Sequence, residues 1–169
     1  MATEATPGTE RRLQLPTAWA VGTRSGWLTV LAIGALLGVA TLIIPILLPA
    51  DHAFGFLAVL LGMIAGVYLG FALQDGRIRA FRTEYVGIAA HGALATIALA
   101  TGSALVLAIG YAGHAAWDAI HHPKALDTSI PRWYVPLCIG YDVPPAVRAA
   151  VTHPPCRSWP AVSGRAART

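Results

Sequence analysis

An all-α, polytopic transmembrane helix bundle is predicted by three features of the 169-residue chain. Its residues are 56% hydrophobic and only 12% charged, where water-soluble domains carry roughly 25% charge. Mean hydropathy is +0.59. Long uncharged runs fill most of the first three quarters, each near the ~20 residues needed to cross a bilayer. A soluble core of this size could not bury so many of them and keep a polar surface. The lipid bilayer is therefore the expected solvent and partner.

Residues 1–26 are polar and turn-rich, with Pro7, Gly8, Pro16 and Gly22, and are expected to form a cytoplasmic leader. The Arg11-Arg12 pair is shared with twin-arginine export signals, but no cleavage-type site closes the segment that follows. Four spans are expected, over 27–48, 54–73, 85–101 and 104–121. The apolar stretch 85–120 would run about 54 Å as one straight helix, too long for a single crossing, so it is expected to fold back at Thr101-Gly102-Ser103. A degenerate fifth span, 133–151, contains Asp142, Pro144, Pro145 and Arg148. The transmembrane domain is thus 27–151, and the Pro/Arg-rich tail 152–169 is expected to be disordered.

Basic residues set the orientation. Arg11, Arg12 and Arg24 precede the first span, Arg77, Arg79 and Arg82 separate the second from the third, and Lys124 and Arg132 follow the fourth. Both opposite turns lack them, which predicts a cytoplasmic N-terminus. The net charge of +4 is scattered between apolar segments rather than gathered in an aromatic-interleaved patch, which argues against nucleic acid. Cys138 and Cys156 have neither disulfide-framework nor zinc-knuckle spacing. Gly62, Gly66 and Gly70 make a smooth strip on the second span, with a shorter pair at Gly34 and Gly38. Close intramolecular packing is the simpler expectation for the strip; a homo-oligomer or membrane-complex interface is the alternative. Tyr68 and Asp75 project from the other side of that helix and form a candidate polar seam. Trp117, Trp133 and Tyr134 are expected in the interfacial aromatic belt.

One constellation carries chemistry. His114, Asp118, His121 and His122 fall within an arc of about 100° on the fourth span. Ionisable groups in hydrocarbon are costly and point at partners, a cavity or an ion. Glu84 and His91 share a face of the third span, with His91 about 10 Å and His114 about 12 Å from the cytoplasmic edge. Asp142 reaches a similar level if its segment is helical. Imidazole and carboxylate at i, i+4 can share a divalent ion, which His114 with Asp118 or Asp118 with His122 would satisfy. His114 and His121 lie roughly 10 Å apart along the axis, so one ion completed by His91 or Asp142, or two ions, are the open alternatives. So are a structural clamp of hydrogen bonds between helices, headgroup placement of His121 and His122, a backbone-satisfied His91, and axial ligation of a haem-like macrocycle by His91 or His114.

The segments Tyr68–Arg77, Gly110–Pro123 and Pro131–Asp142 carry the patterns HxxWDxxHHP and PRWYxPxCxxYD. Over residues 55–142 the chain resembles a family of bacterial integral-membrane proteins with no assigned activity. The resemblance implies a multi-pass protein of the bacterial inner membrane and a shared polar cluster, with no substrate named. It also implies an apolar continuation after Asp142, where this chain has Val143-Pro-Pro-Ala-Val-Arg. A changed reading frame or truncated last helix is the expectation there, and the coding nucleotide sequence decides it.

Three functional classes follow. The sharpest is a membrane-embedded metalloenzyme acting on a lipid-like substrate, with His114, Asp118 and His121 or His122 as ligands. Zinc would favour hydrolysis and a two-iron site oxidation. The second is a non-catalytic scaffold or accessory subunit held by a polar clamp. The third is a proton or solute pathway lined by Asp75, Glu84, His91 and Asp118.

Overall fold

The computed structural model describes residues 23–122, 126 and 128–151, and all regular structure among them is helical. Residues 1–22 of the leader, the tail from 152 with Cys156, and Pro123 and Lys124 lie outside the described residues. The helices are α1 (Arg24–Thr41), α2 (Ile43–Leu47), α3 (Ala50–Asp75), α4 (Ile78–Thr101), α5 (Ala104–Ile120) and α6 (Tyr134–Val151). Two stretches, Arg24–Leu47 and Ala50–Asp75, are long and apolar enough to cross a membrane, and α5 is a shorter apolar helix.

Local chemistry sets the boundaries. Thr23 caps α1, its hydroxyl accepting the Gly26 N–H at 3.1 Å, as an N-cap side chain does for an orphan donor. The expected 27–48 span is broken because Pro45 has no N–H to offer the Thr41 carbonyl; α1 stops at Thr41 and α2 restarts beyond Leu42. The fold-back falls at the expected turn: Gly102 adopts φ +63° and Ser103 caps α5 by accepting the Val106 N–H at 3.3 Å. The 133–151 segment is helical despite Pro144 and Pro145.

α1 packs mainly on α6, α6 also on α5, α3 on α4 and α4 on α5. Close approach of α1 and α6 depends on three glycines. A Cβ at Gly34 would strike the Leu137 carbonyl, one at Gly38 the Tyr141 carbonyl, and one at Gly140 the Leu31 carbonyl. Pro145 leaves the Tyr141 carbonyl without its helical donor, and that oxygen rests against Gly38. The strip expected to pack within the chain does not. A methyl group added at Gly62, Gly66 or Gly70 would meet nothing within 4 Å, because α4 and α5 approach α3 on the side of Leu57, Leu61 and Tyr68.

Burial is inverted relative to a soluble domain. Glu84, His114 and Asp118 have no solvent exposure, while Leu36, Ile46, Leu47, Met63, Leu73 and Val86 are more than half exposed. The apolar core proper is the end containing Leu57, Leu61, Ala98, Leu107 and Tyr111; the Tyr111 hydroxyl donates to the Leu57 carbonyl at 2.7 Å.

The packing yields a contrast. Gly34→Ala should cost more than about 2 kcal/mol, since a backbone carbonyl cannot swing away as a side chain can. Gly66→Ala should be neutral to stabilising by up to about 1 kcal/mol through helix propensity. Thermal unfolding of both variants in detergent measures the difference, and equal melting temperatures would contradict the assigned α1–α6 contact.

Candidate metal centre

The buried face of α5 repeats at helical spacing through Leu107, Tyr111, His114 and Asp118 and ends at its cap, His121. Its partners come from three other helices. The His114 Nδ1 lies 2.7 Å from Oδ2 of Asp142 on α6 and 3.5 Å from Oδ2 of Asp118. Tyr68 on α3 donates its hydroxyl to Asp118 Oδ1. With Nδ1–H given to Asp142, the His114 Nε2 carries a lone pair. That nitrogen, Asp118 Oδ2 and Asp142 Oδ1 are all buried without a hydrogen-bond partner among the described residues.

Three unsatisfied polar atoms on three enclosed residues are a large departure from native practice. One donor atom from each of His114, Asp118 and Asp142 can be chosen so that all three lie within 4.8 Å of one another. Bonds of ~2.0–2.2 Å to zinc place any two ligand atoms at most about 4.4 Å apart, so the group could hold a metal ion after contraction by tenths of an ångström. The donors are nitrogen and oxygen only, a set suited to zinc, iron or manganese. Charge is compatible: with both carboxyls ionised and the imidazole neutral the three residues would carry −2, which a divalent cation would cancel inside a space where net charge is costly.

A second polar cluster adjoins the first. His121 Nδ1 is 2.8 Å from the Trp117 carbonyl, which can only accept, so this nitrogen bears a hydrogen. His121 Nε2 faces Glu84 Oε1 at 3.0 Å, and the Trp117 indole N–H donates to Glu84 Oε2 at 3.4 Å. Trp117 lies against Gly87, where a Cβ would sit 2.6 Å from the indole. The Tyr68 ring bridges the clusters, with its centroid 5.2 Å from that of His121 and 5.7 Å from that of His114.

The sequence-derived candidates therefore separate. His114 and Asp118 converge as expected, and Asp142, expected only as an addition, joins them. His121 pairs with Glu84 instead of reaching Asp118. His122 lies beyond the end of α5, exposed, with its ring 6.3 Å from that of Trp27. His91 gives its Nδ1–H to the Gly87 carbonyl at 2.7 Å and stands edge-on to His114 at 5.0 Å. Tyr68 sits at the centre, whereas Asp75 is engaged elsewhere, with Arg77 and the Ser129 N–H. Sequence reasoning missed the packing roles of half-buried Trp117 and buried Tyr134; Tyr134 packs edge-on against Phe71 at 4.8 Å. The nearest signal was Gly87, one turn before His91, which leaves room for an indole.

Comparison with protein-family models, with curated proteins and with solved structures gives no match to this chain. The site is thus read from its own geometry.

Tyr68→Phe removes the hydroxyl that donates to Asp118 and should cost about 1–2 kcal/mol, the range for a buried polar atom left unmatched. His122→Ala, at an exposed position, should change stability by less than about 0.5 kcal/mol. Denaturant or thermal unfolding of the two variants checks the ranking, and a reversed order would count against the described centre.

Proposed function

We propose that the protein is a multi-pass membrane protein whose His114–Asp118–Asp142 centre binds a divalent metal ion, zinc or iron, and acts on a lipid-like molecule. The observation that carries this reading is the convergence of one ligand atom from each of three fully buried residues on two facing helices to within 4.8 Å of one another. The apolar exterior and polar interior support the membrane environment. Four or five crossings would let α4 and α5 bury Glu84, His91 and His114 against one another, which the two most apolar stretches could not do alone. The basic residues Arg24, Arg77, Arg79 and Arg82 at one end of the bundle favour placing that end, with the N-terminus, in the cytoplasm of a bacterial inner membrane.

In this reading His114 and Asp118 are direct ligands. Asp142 would be the third, since His114 Nδ1 is the nitrogen that faces both acids; an ion shared by the three residues would take the place of the hydrogen on Nδ1. The bound ion would supply Lewis acidity or, for iron, redox capacity. Tyr68 holds Asp118 in place through its hydroxyl.

A specific observation favours a second reading. The Tyr68–Asp118, His114–Asp142 and His121–Glu84 contacts tie α3, α4 and α6 to α5, which is what a structural polar clamp in a scaffold or accessory subunit would do.

Metal analysis of the purified chain separates the two. The metal reading expects about one equivalent of zinc or iron, falling below about a tenth in His114→Ala and Asp118→Asn, and an affinity loss of about 10–100-fold in Asp142→Asn. A chelator should destabilise the wild-type chain by about 2.7 kcal/mol relative to protein held at a hundredfold excess over Kd. Metal-free protein whose melting temperature ignores both metal and chelator would leave the clamp as the function of this cluster.

A further inference from the structure

The end of the bundle where α1, α4 and α6 begin and α3 and α5 finish contains an open cavity of about 990 Å³. Its wall brings together Arg77, Arg132, His121, His122 and Gln74 around a single described acid, Asp75. That carboxylate is already committed. Its side chain is 1% exposed; Oδ1 accepts the Arg77 Nε–H at 2.6 Å, and Oδ2 accepts the Arg77 Nη2–H at 2.9 Å and the Ser129 N–H at 2.8 Å. Asp75 thereby fastens both the Arg77 guanidinium and the segment leading to Arg132 onto the end of α3. With Asp75 answering Arg77, Arg132 sets the sign of the cavity among the described residues. The exposed Arg24, Arg79 and Arg82 extend the same sign around this end of the bundle.

Two further observations say what such a cavity receives. Residues flanking its lining positions are apolar and exposed, Leu73 at 65%, Ile78 at 62% and Trp133 at 47%. A molecule that meets both surfaces has an anionic head and an apolar body. His121, in turn, belongs to both the cavity wall and the buried cluster, since its ring stands 5.2 Å from that of Tyr68, which holds Asp118. His121 and then Tyr68 therefore stand between a head group in the cavity and Asp118 of the centre.

We propose that this cavity binds the phosphate-bearing anionic head group of an amphiphile, with Arg132 and His122 as its recognition residues, and that such amphiphiles are the substrate class presented to the buried centre. The second half rests on the metal-centre reading; the first does not. Guanidinium recognises phosphate through paired, charge-assisted donors, and the exposed apolar side chains next in sequence to the lining residues favour a lipid over a free phosphate compound.

The test uses the full chain in neutral detergent, with intrinsic tryptophan fluorescence reporting binding; Trp133 adjoins Arg132, and Trp27 contacts His122. The probes are short-chain phosphatidylglycerol, the zwitterionic phosphatidylcholine of equal chain length, and inorganic phosphate. Saturable binding of phosphatidylglycerol is expected, with phosphatidylcholine weaker and inorganic phosphate competing. Arg132→Gln should weaken binding about tenfold, as loss of a charge-assisted contact does, and Arg79→Gln, outside the cavity wall, should leave it unchanged. Binding of inorganic phosphate without the lipid would support anion recognition but overturn the amphiphile. Equal binding of the two lipids, or equal losses in the two arginine variants, would overturn the cavity as a head-group site. Metal content measured on the same samples keeps the readings apart: head-group binding by a metal-free chain removes the catalytic half and leaves the site, whereas a metal-loaded chain that binds no probe does the reverse.

Discussion

A carboxyl group enclosed away from water needs a hydrogen-bond partner or a cation at each oxygen, and Asp118 and Asp142 draw partners from helices far apart in sequence. Asp118 reaches Tyr68, fifty residues earlier, and Asp142 reaches His114, twenty-eight residues earlier. These contacts bring α3 and α6 against the same face of α5. One oxygen of each acid is still unmatched among the described residues. In the proposed metal reading a divalent ion held by the two acids would answer that unmet need.

The placement of Asp142 depends on a helix that contributes nothing to the centre. α6 contains two adjacent prolines, which cost it helical hydrogen bonds. Its register is instead held by α1, through backbone-to-backbone approach at Gly34, Gly38 and Gly140. Close approach of this kind supplies dispersion contacts and weak Cα–H donors to the opposing carbonyls. The cost of a methyl group at those positions would therefore be felt at Asp142, about one helical turn from Leu137 and adjacent to Tyr141.

The inverted burial gives the cluster its setting. A shell of exposed leucine, isoleucine, valine and methionine surrounds a seam of Glu84, His91, His114, Asp118, His121 and Asp142. In lipid the shell is at no disadvantage, and the low-dielectric surroundings strengthen each contact in the seam. The seam is graded along the bundle. At one end lies the apolar packing of Leu57, Leu61 and Leu107, then the fully enclosed acids, then the His121–Glu84 pair, and finally the arginine-lined cavity. His121, 7% exposed, marks the step from enclosed to accessible.

Much of this was legible in the chain itself. The all-helical class followed from uncharged runs of the right length, the reversal at Gly102 from a run too long to be straight, and the pairing of His114 with Asp118 from i, i+4 spacing, all of which are local consequences of a 1.5 Å rise and a 3.6-residue turn. Spacing within one helix says nothing of which other helix arrives opposite. It therefore could not decide that Asp142 would reach His114, that Glu84 would take His121 away from Asp118, or that the glycines used for close packing would be Gly34, Gly38 and Gly140 while Gly62, Gly66 and Gly70 stayed uncovered. It also grouped His122 with the site by angle alone, although α5 ends at Ile120 and turns that side chain outward. The helical period determined which faces are polar; only the packing of the helices decided which polar faces meet, because contacts between distant segments depend on side-chain volume and backbone approach that no single-helix pattern contains.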